Sequence, residues 1–224
     1  MYIIAGFGGL ALIPAMLLKA GKPLKTPKLK LREIFKGFRY LLFSTNGIVK
    51  KVAITYTLIM LSTGGVSIAV YMLVLSELGG GILNIGLLTS IFTAGLICGN
   101  AVIGIRVPRE SKLIIYGTLL SGICYLIISH ITVIELFYII YFAMGIFAAT
   151  IVTPSMTLIQ KSTPIESRGR IFSSLSSILN VATLISASLS SFAIYVINSR
   201  FVLIGYGIAT VIVGILATKI LPNT

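Results

Sequence analysis

The chain has 224 residues, 57% of them hydrophobic and only 10% charged, with a mean hydropathy of +1.07 and a net charge of +13. Soluble domains carry roughly a quarter charged residues, so this composition excludes an ordinary water-soluble fold and leaves helices or a closed barrel in lipid. There is no Asp, and the five Glu and the single His lie in or beside polar connections, which excludes carboxylate-pair or metal-cluster chemistry within the apolar segments and argues against an enzyme.

Seven apolar runs follow in chain order, at residues 2–18, 52–75, 82–105, 113–129, 133–160, 171–197 and 201–221. A barrel strand needs about ten residues of alternating polarity. These runs are apolar on all sides and have about the 17–25 residues, or slightly more, that carry a helix across a bilayer. They predict an all-α, polytopic membrane protein with seven transmembrane helices. The first run starts at once after Met1, with its basic residues downstream, which predicts no removable signal and an N-terminus outside the cell.

Seven spans put the termini on opposite sides. On that count, 17 of the 18 Lys and Arg residues fall on one side, in residues 19–51, in the two later connections at 106–112 and 161–170, and at Lys219. Only Arg200 falls on the other. The side with the 17 basic residues is therefore the cytoplasm. The basic balance reads as topology plus attraction to the anionic lipid bilayer, worth about 1 kcal/mol per residue near the surface. The charges are spread over short loops without interleaved aromatics, so nucleic acid is not a predicted partner.

Residues 1–19 thus read as one transmembrane helix, 20–51 as a cytoplasmic basic linker, and 52–221 as a six-helix bundle. Pro23 and Pro27 mark an extended stretch. Leu31, Ile34, Phe35, Phe38, Leu41 and Leu42 then recur at helical spacing, with Lys36 and Arg39 between them. This is a basic amphipathic helix, lying on the membrane or bracing two bundles.

The polar groups within the spans are neutral. The sixth run carries Ser176, Asn180, Thr183 and seven further serines, with small-residue stripes at Ala182, Ser186 and Ser190 and at Thr183, Ala187 and Ser191. Gly95 and Gly99 make a similar stripe in the third. Such stripes predict close helix packing. Asn100 and Asn180 either line a wet cavity or join helices, since an amide has four bonding sites to satisfy. Gly64, Gly65 and Pro154 interrupt spans, as broken helices around a transport site do and as packing glycines and prolines also do. Cys98 and Cys124 read as free, packed thiols.

The connection before the sixth run contains Pro164, Glu166, Arg168, Gly169, Arg170, Phe172 and Ser173 in the order P-x-E-x-R-G-R-x-F-S. This resembles the P-x-x-x-R-G-R-x-F-S segment in the second half of major facilitator superfamily transporters, in particular their macrolide- and siderophore-efflux branch. The resemblance covers almost the whole chain, which would be the last helix of a first half, the central cytoplasmic linker and the complete second half. It implies that Pro164, Glu166, Arg168 and Arg170 belong to a cytoplasmic gating loop. The family's other loop signature maps onto residues 103–109, where Arg106 and Arg109 are present but no acidic residue is.

The resulting expectation is half of a major-facilitator-type bundle, a secondary transporter exporting small amphipathic molecules by alternating access. Its substrate cavity would be lined by Thr63, Tyr71, Asn100, Tyr141, Thr153, Ser176, Asn180 and Thr183, with Tyr138 nearby. No cofactor or metal is implied. The partners implied are lipid, a small-molecule substrate, and either a missing N-terminal half or a second copy. A seven-helix receptor is the competing reading, although the lysine of a retinal protein is missing from the middle of the last span, where Lys219 stands near the end instead. A non-transporting fragment is a third.

Overall fold

The structure, a computed structural model, describes residues 47–105 and 109–221. The first predicted span, most of the linker with its amphipathic helix, and Arg106 lie outside the described residues. Seven α-helices make up the rest: α1 (Gly47–Thr63), α2 (Val66–Ser76), α3 (Ile82–Ile105), α4 (Glu110–His130), α5 (Ile134–Lys161), α6 (Ile165–Val196) and α7 (Ser199–Ile220). Because α1 and α2 are two pieces of one 30-residue span, the described residues hold six helices long and apolar enough to cross a membrane. No strand occurs among them.

Several helices begin earlier than the hydropathy pattern predicts. α1 starts at Gly47, so Lys50 and Lys51 sit exposed on its first turns rather than in the linker. Long basic side chains allow this, because their stems lie along the apolar surface while the charge reaches water. α6 starts at Ile165, so Glu166, Arg168 and Arg170 occupy helical turns rather than a loop. Glu110, Glu135 and Glu166 fall in first turns, and His130, Lys161 and Lys219 in last turns. Each placement suits the helix dipole. A break at Pro154 is not observed, since α5 runs through it unbroken. Spanning helices accommodate proline where neighbouring helices and hydroxyl side chains make up for the lost backbone bond.

Three of the helix crossings in the bundle bring small residues against main chain. α3 lies on α5, where a methyl group on either Gly95 or Gly145 would collide with the other helix's main chain, at the Phe142 and Phe92 carbonyls respectively. α4 lies on α7, where a methyl on Gly122 would reach the Gly207 carbonyl at 3.0 Å and one on Gly207 the Gly122 carbonyl at 3.1 Å. α6 lies on α1 and α2, where a methyl on Gly64 would come 2.9 Å from Thr183 Cα. Pairing α1–α2 with α5, α3 with α6 and α4 with α7 exchanges the first and third crossings and maps the second onto itself, as two inverted three-helix repeats do.

Two apolar clusters fill the interior. One, with Val52, Ile59, Ile159, Ile171 and Leu175, lies toward the end carrying Lys161. The other, with Val70, Leu73, Phe137, Ile128 and Leu203, lies toward the end carrying Arg200. The buried polar side chains of the described core are all Ser or Thr. Their hydroxyls are neutral, and several return a hydrogen bond to a carbonyl of their own helix, as Thr118 does to Ile114 at 2.7 Å and Ser155 to Ile151 at 2.7 Å.

Candidate functional site: a broken span and a polar groove

The interruption between α1 and α2 falls at Gly64 and Gly65. A broken span leaves backbone groups that lipid cannot satisfy. Here neighbouring helices take them. The Gly65 amide donates to Ser186 Oγ at 2.9 Å, and Ser190 Oγ donates to the Gly65 carbonyl at 2.9 Å. Tyr206 Oη donates to the Ser186 carbonyl at 2.7 Å, and Thr210 Oγ1 donates to the Ser62 carbonyl at 2.9 Å. The Ala182, Ser186 and Ser190 stripe is buried against the break, while the parallel stripe at Thr183, Ala187 and Ser191 faces outward in part or whole. Gly65 itself is buried.

A second polar feature lies between α3 and α5. Thr153 Oγ1 donates to Asn100 Oδ1 at 2.5 Å, which leaves the Asn100 amide nitrogen with free donors. The two residues line a groove of about 480 Å³ together with Ile103, Gly104, Pro154 and Thr157. Thr157 turns its hydroxyl onto the Thr153 carbonyl at 2.9 Å. Among the described residues no charged side chain lines this groove. It offers amide donors and hydroxyl acceptors beside apolar walls, the lining that small-molecule sites commonly have.

The remaining candidates are distributed around these two features. Thr63 is bonded back to the Ile59 carbonyl at 2.8 Å and Thr183 to the Leu179 carbonyl at 2.9 Å. Tyr71 meets Thr89 at 3.2 Å across α2 and α3. Tyr141 is buried, with its ring 5.9 Å from that of Phe92. Tyr138 donates to Asn84 Oδ1 at 3.2 Å. Ser176 and Asn180 stand exposed on α6, a helix that packs on α1 and α2 rather than on the Asn100–Thr153 groove. Asn100 and Thr153 are therefore brought together, Thr183 adjoins Gly64, and the other candidates are not gathered into one site.

The ends of the bundle are ordered by charge. At one end Pro164 precedes α6, Arg168 Nε donates to the Thr163 carbonyl at 3.2 Å, and Glu166 and Arg170 are exposed. Arg109 precedes α4 in a left-handed conformation, φ 48°. The next residue, Glu110, meets Lys161 Nζ at 2.5 Å. So an acidic partner does exist at this end, just past the segment where the sequence pattern lacks one. At the other end Arg200 pairs with Glu77. The sequence reading gave neither Glu77 nor Arg200 a role, although Arg200 stood out as the lone basic residue on its side.

Neither a curated protein nor a solved structure matches this chain. The family model described as Major Facilitator Superfamily matches residues 52–224, which takes in every described span almost completely. With six membrane-capable helices in the described residues and a match over most of its length, the chain belongs to the Major Facilitator Superfamily of membrane transporters.

Proposed function

We propose that this chain forms one half of a secondary transporter that exports small amphipathic molecules, and that the Asn100–Thr153 groove is part of its substrate path. The observation that carries the reading is the groove itself, in which an uncharged amide and hydroxyls face open space between two spans. An uncharged lining suits a substrate held by hydrogen bonds and apolar contact, not by ion pairing.

In this reading α3 and α6 supply the faces that meet a complementary set of six helices, on the same chain, on a partner or on a second copy. They hold the least buried of the spans, with Ile97, Val102, Leu184, Leu189 and Phe192 all well exposed. Alternating access would come from rocking one bundle against the other. The Arg200 end would face outside and the Lys161 end the cytoplasm, following the bias of basic residues. Membership in a transporter family leaves the receptor reading without a supporting observation.

The test is accumulation of the amphipathic dye Nile red in cells lacking their own exporters. Expression of the chain with its complementary half lowers accumulation if the proposal holds. Unchanged accumulation, together with failure of the two halves to co-purify, would refute it.

A further inference from the structure

Threonines within the spans share a habit. Thr57, Thr118, Thr157 and Thr183 each return the hydroxyl proton to the carbonyl four residues back in their own helix, at 2.8, 2.7, 2.9 and 2.9 Å. Thr153 departs from it. Its hydroxyl crosses from α5 to α3 and donates to Asn100 Oδ1 at 2.5 Å. The helix crossing brings the two residues within reach. Gly99 precedes Asn100, and a methyl on it would come 2.7 Å from Ala149 Cβ and 3.0 Å from the Ile146 carbonyl oxygen. Ala149 lies about one helical turn before Thr153. The two main chains are thus held close beside the pair.

This bond decides how the amide stands. An asparagine carries an accepting oxygen and a donating nitrogen on one pivot, and either could face a ligand. Here Thr153 holds the oxygen toward α5. The two N–H donors of the nitrogen are left over, and nothing among the described residues accepts from them. Asn100 is exposed and lines the groove. The hydroxyl protons of Thr153 and Thr157, the other polar groups of the lining, are both committed to protein oxygens. The free side-chain donors of the groove are therefore concentrated at one point, the Asn100 nitrogen.

We propose that Thr153 is a positioning residue for substrate selection: by holding the Asn100 oxygen it turns the amide N–H groups to the groove, which then favours uncharged solutes presenting an acceptor oxygen over solutes of the same shape presenting an N–H. The inference rests on the reading of this groove as part of the substrate path, and it names the chemical class taken there. A carbonyl or ether oxygen meets the waiting donors. A solute with an N–H in its place leaves them unmet, and a site built around a hydrogen bond discriminates against such a solute. Without Thr153 the amide turns freely, and the preference is lost although Asn100 remains.

Nile red and Nile blue test this, because they share one fused-ring skeleton and differ where the first has a carbonyl and the second an amino group. Equilibrium binding of each dye to the full chain in lipid nanodiscs, corrected for empty discs, gives a preference ratio. The dyes also differ in charge, so the readout is the change in that ratio among variants that leave the protein's charge unaltered. Thr153→Val keeps the shape but not the donor, and is expected to lower the preference for Nile red by at least about fivefold. Thr153→Ser, which keeps the hydroxyl, retains the wild-type ratio. Asn100→Leu weakens Nile red binding and brings the ratio down to that of Thr153→Val. Wild-type binding of both dyes to Asn100→Leu would remove the groove from the substrate path, and this inference with it. Weaker Nile red binding to Asn100→Leu beside an unchanged ratio in Thr153→Val would leave the groove in the path and overturn the positioning role alone. A ratio in Thr153→Ser as low as that in Thr153→Val would overturn it too.

Discussion

The Gly65 amide and the Ser186 hydroxyl, 121 positions apart in the chain, form a buried 2.9 Å hydrogen bond at the one interruption within a described span. Ser186 thereby stands in for the helical acceptor that the break removes. Ser186→Ala leaves that amide unpaired, and the expected loss is about 1–2 kcal/mol. Gly65→Ala should lose more, because its methyl would meet the Ser186 carbonyl at 2.6 Å as well as the Tyr206 hydroxyl. Reversible unfolding in mixed micelles measures both. A Ser186→Ala chain that unfolds at the wild-type denaturant fraction would show that the break is held by other means.

The α3–α5 crossing predicts a sharp contrast between glycines. Gly95→Ala or Gly145→Ala places a methyl against main chain of the opposing helix and forces the pair apart, with an expected loss of more than about 2 kcal/mol. Gly86→Ala and Gly205→Ala, where a methyl would have nothing within 4 Å, should be neutral or stabilising by up to about 1 kcal/mol through helix propensity. Thermal denaturation of the four variants in one detergent separates the two classes.

Thr153→Val removes the donor to Asn100, and Asn100→Leu removes the amide. Each should change stability by no more than about 1 kcal/mol, as hydrogen bonds within membranes commonly do. Dye export is expected to fall several-fold in both. Wild-type export in both variants would remove this groove from the substrate path.

Orientation follows from single cysteines in a Cys98→Ala, Cys124→Ala background. Gly81→Cys, at the Arg200 end and with open space around its Cβ position, should react with a membrane-impermeant maleimide in intact cells. Glu166→Cys, at the Lys161 end, should react only after permeabilisation. The opposite pattern would invert the assignment.

The spans were legible because run length and the absence of charge report directly on lipid burial. Their ends were less so: Glu110, Ile165, Glu166 and Arg170 are polar or follow polar residues, yet helix continues through them, because lipid headgroups and water tolerate charge on a helical turn. The sequence showed two possible small-residue stripes on α6, and only the bundle selects Ser186 and Ser190 to face Gly65. Gly64 and Gly65 stood out as a possible break, whereas Pro154 lies in a continuous helix. Asn100 and Thr153 were both recognised as polar residues in apolar runs, but their pairing depends on the close approach at Gly95, Gly99 and Gly145. The Glu77–Arg200 pair spans 123 positions, and no local pattern announces it.

The glycine crossings also limit how such a chain can drift over generations. At Gly95 and Gly145 the obstacle to a larger residue is a main-chain carbonyl of the opposing helix. A compensating change elsewhere cannot shrink a carbonyl. Inherited variation is therefore steered away from these rungs and onto exposed apolar positions away from the α3 and α6 faces, such as Ile212 and Ile215, where one greasy side chain replaces another at little cost.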